Sequence, residues 1–213
     1  MKALLLFFVA LISTPVFAQD ADKWAYKGEK DDIKIYHQRT TGLLHIKLAT
    51  SLKVPLAGIV TMFSDVSTYH DWAYKLVEAR LLRRVSDTEM FYYARYDFPW
   101  PLEDRDIILH CKLEQNALTK VITIINTPSP EYLPELKGIQ RIKNTTTKWL
   151  FIPGVAGWVY TEQQISTDSA EGVPDWLVKL TADTGPRETA KGIRRVLRSE
   201  RYQKATLIHI QEK

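Results

Sequence analysis

Apolar and polar positions alternate with a period of two along most of the chain, and give way to helical spacing in three places. Trp24 to Lys27 and Ile33 to Thr40 read as strands separated by the turn-forming Gly28-Glu29-Lys30-Asp31. Thr41-Gly42 turns the chain into a strand from Leu43 to Leu52, where Leu44, Ile46 and Leu48 alternate with His45 and Lys47. Pro55 suits a helix first turn, and from it Leu56, Ile59, Val60 and Phe63 recur at helical spacing. A short second helix is predicted over Thr68 to Trp72. Leu76 to Val85 and Glu89 to Phe98 follow as a hairpin through Ser86-Asp87-Thr88. Asp106 to Glu114, Val121 to Asn126, Ile139 to Phe151 and Trp158 to Ser166 read as further strands, with turn chemistry at Asn116 and Pro153-Gly154.

The last long element is helical. Pro174 and Asp175 sit in its first turn, where a missing N–H and a negative charge are both tolerated. Trp176, Leu177 and Leu180 form an apolar stripe that Ile193, Val196 and Leu197 resume, and Gly185-Pro186 predicts a kink between the two halves. Strands, two short helices, more antiparallel strands and a long final helix make an α+β layout: a curved sheet wrapped against a helix.

The N-terminus adds a different kind of signal. Lys2 supplies a positive charge, Ala3 to Ile12 an unbroken apolar run, Ser13-Thr14-Pro15 a helix break, and Val16-Phe17-Ala18 a cleavage site before Gln19. The apolar run is about half as long as a membrane span requires. The expectation is a cleaved signal over residues 1–18, a single domain over 19–213, and a periplasmic or secreted location. The net charge of +4, reduced by one when Lys2 is removed, is too mild and too evenly spread to argue for nucleic acid. Cys111 is the single cysteine, so the fold must rely on its core; its place in an alternating apolar strand predicts a buried, inert thiol.

Four stretches resemble the START family of lipid-binding domains in the helix-grip superfamily. These are Ser64-Asp65 through Tyr69-His70-Asp71-Trp72; Pro99-Trp100-Pro101-Leu102-Glu103-Asp104-Arg105-Asp106; Pro130 through Arg141; and Gly172-Val173-Pro174-Asp175-Trp176-Leu177-Val178 through Thr184-Gly185-Pro186. They span most of residues 19–213 in the family's order. The resemblance implies a tunnel between the sheet and the kinked helix, holding one sterol, phospholipid, ceramide or other apolar molecule. It departs from the family in a shorter N-terminal region and in a tail, Leu207 to Lys213, without an assigned place.

Strand alternation divides the candidate wall. Phe91, Tyr93 and Arg95 share one face and Tyr92, Ala94 and Tyr96 the other; Arg105, Ile107, Leu109 and Cys111 point together, opposite Asp106, Ile108 and His110. The expected ligand contacts are Tyr93, Arg95, Arg105, Leu109, Trp149, Tyr160, Trp176 and Leu180. Arg105 has two readings: its guanidinium fork holds a lipid phosphate or carboxylate, or it forms a structural ion pair with Glu103, Asp106 or Asp97. By the resemblance, Trp100 and Leu133 rim the tunnel mouth as lid residues, suited to transient contact with a membrane interface. Arg187, Lys191, Arg194, Arg198 and Arg201 share one helix face, read either as solvated or as an attraction for anionic headgroups.

No G-x-S-x-G, H-E-x-x-H or glycine-rich phosphate loop is present, and His37, His45, His70, His110 and His209 lack metal-ligand spacing. No cofactor or metal is expected, and a monomer is. The leading expectation is a non-enzymatic carrier or sensor of a hydrophobic small molecule. Two alternatives stand beside it. One is a helix-grip enzyme of cyclase/aromatase or hydrolase type using Tyr93, Arg95, Arg105 and Tyr160; the other is an envelope protein-interaction factor.

Overall fold

The computed structural model describes residues 24–168 and 175–212. The expected export signal and Gly172-Val173-Pro174 lie outside them. In chain order the described elements are β1 (Ala25–Lys30), β2 (Ile33–Thr40), β3 (Leu43–Lys53), α1 (Leu56–Ser64), a 3-10 turn (Val66–Asp71), β4 (Leu76–Ser86), β5 (Glu89–Tyr96), β6 (Asp104–Gln115), β7 (Ile122–Pro128), a second 3-10 turn (Pro130–Tyr132), β8 (Ile139–Arg141), β9 (Thr146–Pro153) and β10 (Trp158–Asp168). The last helix follows in pieces: α2 (Asp175–Lys179), a π turn (Leu180–Thr184), α3 (Gly185–Val196) and α4 (Glu200–Gln203).

Among the described residues the strands form one sheet in the order β1-β2-β3-β10-β9-β7-β6-β5-β4, with β8 beside β6. All neighbours are antiparallel except β6 and β8. The α+β helix-grip layout expected from the pattern is therefore the one observed.

Two details differ from it. β1 runs through Gly28, where the register shifts by a bulge, and the reversal falls on Asp31-Asp32, both at φ 57°. Short polar side chains tolerate that region, which a two-residue hairpin demands. The expected strand from Ile139 to Phe151 is two strands. β8 pairs with the start of β6, which β7 leaves uncovered, and β9 pairs with β7 and β10.

Alternation gives the sheet an inner face that carries the core. Leu44, Ile46, Leu48 and Leu52 of β3, Ile107, Leu109 and Cys111 of β6, and Trp149 and Phe151 of β9 are all buried there. Helix α1 packs Ile59, Val60 and Phe63 against the same cluster. The final helix crosses β2 and β3: Ala182 meets Ile35, Leu44 and Ile46, and Ala190 meets Ile33 and Leu48. At Gly192 it lies so close to the backbone of Trp72 that a Cβ would stand 2.2 Å from the Trp72 carbonyl oxygen.

The predicted kink takes the form of a π turn. Pro186 has no N–H to return to Ala182 and its ring crowds the preceding turn. The helix widens instead, and the Gly185 N–H reaches back to the Leu180 carbonyl.

Four of the five basic residues of the stripe make contacts within the protein. One Arg187 nitrogen donates to the carbonyls of Lys30 and Ile33, both at 3.0 Å. Arg194 donates to the Asp31 carbonyl at 2.7 Å and to Thr50 Oγ1 at 2.6 Å. Lys191 pairs with Glu188, and Arg201 with Asp65. The stripe fastens the helix to the first hairpin and to the segment after α1.

The tail also has a place. Ile210 is buried in the main core, and Gln211 exchanges hydrogen bonds with the Gln115 side chain at 2.7 and 2.9 Å. The two Glu212 carboxylate oxygens accept the backbone N–H groups of Leu56 and Ala57, each at 2.9 Å. Helix α1 begins at Pro55, which has no capping side chain, so Glu212 supplies both the acceptors and the negative charge that a helix N-terminus lacks.

On the outer face the buried Arg141 and Asp106 form a two-pronged pair at 2.6 and 3.0 Å. The remaining Arg141 donors hold the carbonyls of Pro130, Leu133 and Pro134, binding that loop to the sheet.

Two measurements follow from these anchors. Glu212→Ala is expected to lower stability by about 1–2 kcal/mol in urea denaturation, with Glu212→Gln retaining part of it. Arg141→Met is expected to lower it by about 3–5 kcal/mol, because Asp106 is left buried and uncompensated; adding Asp106→Leu recovers much of the loss.

Candidate ligand cavity

One helix cannot fill the whole inner face, and space remains between the π turn and the sheet. This cavity has a volume of about 270 Å³. Tyr92 and Tyr96 of β5, Ile107 and Leu109 of β6 and Trp149 of β9 form its floor. Phe63, Tyr69 and Trp72 form one wall, and Leu180, Thr181, Pro186 and Thr189 the roof. Tilted and edge-on ring packing fixes the wall: Tyr69 stands 4.7 Å from Trp72 and 5.3 Å from Tyr92, and Phe63 stands 5.2 Å from Trp149.

Some of the polar atoms in this lining are matched internally. Tyr69 donates to the Phe63 carbonyl at 2.6 Å, Tyr92 contacts Asn126 Oδ1 at 3.4 Å, and Asn126 donates to Thr147 at 2.9 Å. Burial pushes the Tyr69 and Tyr92 hydroxyls well above the usual phenol range and Tyr96 up to about 12, so all three stay neutral. Burial likewise raises the Cys111 thiol to about 12, which keeps it protonated and unreactive.

At one edge Lys75 and Asp97 pair at 2.5 Å, and Phe98 lines the cavity beside them. The Arg105 guanidinium stacks over the Phe98 ring at 4.8 Å. Outside, Pro99, Trp100, Trp176, Lys179, Leu180 and Thr184 form a shallow depression that shares Leu180 with the cavity. Trp100 is 91% exposed and Trp176 48%.

The structure thus brings Leu109, Trp149 and Leu180 together in one cavity, puts Arg105 on the same sheet face at its edge, and leaves Trp100 and Trp176 on the surface next to it. The other expected residues face away. Tyr93 is buried on the outer face under the Arg80 guanidinium, and Arg95 pairs there with Asp104 at 2.6 Å and Glu78 at 3.4 Å. Tyr160 is exposed on the outer face, bonded to Glu162. Leu133 belongs to the loop that Arg141 ties to the outer face, where Tyr132 stacks on Phe91, so it does not rim this cavity.

The lining residues missed include Phe63, Tyr69 and Trp72 of the wall and Tyr92 and Tyr96 of the floor, and for the last two the alternation already separated them. Their strand face carries no charge, whereas the face of Tyr93 carries Arg95. For Arg105, neither Glu103, Asp106 nor Asp97 serves as a partner: Asp106 belongs to Arg141 and Asp97 to Lys75. Burial with no compensating carboxylate pushes its guanidinium pKa down. Among the described residues no group of three or more His, Cys, Asp or Glu side chains is arranged to hold a metal ion.

No family model matches the sequence. The uncharacterized protein PA1579 of Pseudomonas aeruginosa is 27% identical over 176 residues, 82% of this chain and 86% of that protein. Among solved structures, a STAR-related lipid transfer protein from Xanthomonas axonopodis superposes with a TM-score of 0.73 at 27% identity, covering 84% of this chain and all of that one. Human STARD10 gives a TM-score of 0.66 at 18% identity, over 81% of this chain and 71% of that one. The lipid transfer and protein localization domain of human StarD13 gives 0.68 at 16%, over 81% and 88%. With its sheet gripping a C-terminal helix around an apolar cavity, the chain has the START-like α+β fold.

Proposed function

We propose that this chain binds one lipid or other hydrophobic small molecule between the inner sheet face and the C-terminal helix, and holds it for transfer or sensing in the periplasm. The observation that carries the reading is the cavity itself: a largely apolar space, walled by aromatic side chains, in the core of a START-like fold. The likeness to the Xanthomonas STAR-related lipid transfer protein supports it. Export by the signal over residues 1–18 is part of the proposal, and supplies its rationale: an apolar molecule needs shelter to cross an aqueous compartment.

The dimensions favour a small ligand. About 270 Å³ corresponds to roughly nine groups the size of a water molecule, enough for a single short chain or a compact ring system. Eight buried methylenes contribute about 6 kcal/mol before the costs of association. Arg105, on the cavity side of the sheet and without a carboxylate partner, is suited to an anionic headgroup at the edge. Trp100 and Trp176, exposed next to the cavity, are suited to transient contact with a membrane interface. The residues that an enzymatic reading would use do not converge: Tyr93, Arg95 and Tyr160 lie on the opposite sheet face from Arg105. A binding protein is therefore the better-supported reading, and one chain suffices to build its site.

Mass spectrometry of protein purified gently from its native host is expected to reveal a co-purifying hydrophobic molecule. A protein that emerges empty and takes up no lipid overturns the proposal. Arg105→Met is expected to weaken decanoate binding about tenfold by calorimetry while leaving decanol unchanged. Equal loss of both, with a lowered Tm, assigns Arg105 to structure alone.

A further inference from the structure

Two polar side chains of the cavity make no hydrogen bond. Gln163 lies on the inner face of β10 between Trp149 of β9 and Leu48 of β3, lines the cavity, and is only 8% exposed. Its Oε1 is buried and unmatched, and neither end of its amide has a partner among the described residues. Trp72, on the wall of the same cavity and also 8% exposed, has an equally buried and unmatched indole N–H.

Folded proteins match nearly all such groups, because an amide or indole N–H that loses water without gaining a partner is destabilising. The adjoining strands supply no partner in this arrangement. Leu48 beside Gln163 offers no polar side-chain atom, and Thr161, two positions along the same face, has its own hydroxyl buried and unmatched. Gly192 and the packing of Phe63 and Tyr69 hold Trp72 where it stands, so its N–H cannot swing to another acceptor. What remains is an unmatched amide oxygen and an unmatched indole N–H lining one largely apolar space.

We propose that Gln163 and Trp72 form a recognition site for a neutral hydrogen-bonding group carried within the apolar part of the ligand. A hydroxyl fits best, since it can both donate to the Gln163 oxygen and accept from an N–H. The inference rests on the hydrophobic-ligand reading above and narrows it. The ligand class is a hydroxylated amphiphile, and Gln163 is the residue that separates it from the plain hydrocarbon chain. Discrimination of this kind is steep, because a ligand lacking the group leaves the protein's own polar atoms unmatched.

The test uses decanoate and a set of hydroxydecanoates with the hydroxyl moved along the chain, titrated calorimetrically into the intact protein. At least one isomer is expected to bind about tenfold or more tightly than decanoate. Gln163→Leu is expected to erase that preference and to melt no lower when empty. Gln163→Met serves the same purpose should the leucine variant not fold. The inference is overturned if no isomer is preferred, if the preference survives both substitutions, or if the empty variants melt lower, which makes the amide structural. Binding of decanoate without preference overturns this inference alone. Failure of every probe to bind overturns the hydrophobic-ligand reading along with it.

Discussion

The hydrogen bonds from Arg187 and Arg194 to the carbonyls around Asp31 are the contact on which the rest of the molecule depends. They set the distance between the final helix and the sheet. Apolar packing alone would draw that helix inward until the gap closed, since burial is non-directional and rewards every Å² removed from water. A guanidinium bonded to main-chain carbonyls at one end, and Gly192 pressed on the Trp72 backbone, fix where the helix can rest. The cavity is the space these contacts do not allow the helix to fill.

The same logic explains the broken helix. A regular helix through Pro186 would carry an unmatched carbonyl at Ala182; the π turn relocates the mismatch to the stretch that roofs the cavity. Elsewhere, anchors sit outside the cavity. Arg141 and Asp106 consolidate a loop on the outer face, and the Glu212 side-chain carboxylate caps α1. These polar anchors thus lie around the periphery, while the inner lining keeps some of its polar atoms uncommitted.

Much of this was legible in the sequence. Period-two alternation located most of the strands, Pro55 and Pro186 marked a helix start and a break, and local motifs pointed to the fold before any geometry was known. Leu109, Trp149 and Leu180 were legible as cavity residues because an apolar side chain on the core face of an element has few other places to go. The failures came where the partner is main chain or distant in sequence. Nothing in Arg187 or Arg194 announces that a hairpin carbonyl will accept from it, and nothing in Glu212 announces a helix start over a hundred and fifty positions away. Tyr93 and Arg95 were assigned to the wrong side of β5, although the charge on their face was a usable warning. Leu133 was misplaced because loop direction depends on Arg141, which reads on its own as an ordinary surface charge.

The Glu212 cap has one more implication. Helix α1 is made early in synthesis, yet its first turn is completed by a residue at the opposite end of the chain, just as β3 waits for β10 and the first hairpin waits for α3. Contacts this far apart in sequence carry a large loop-closure cost and form late. A chain growing from its N-terminus consequently has no closed inner face to stabilise it until nearly all of it is available.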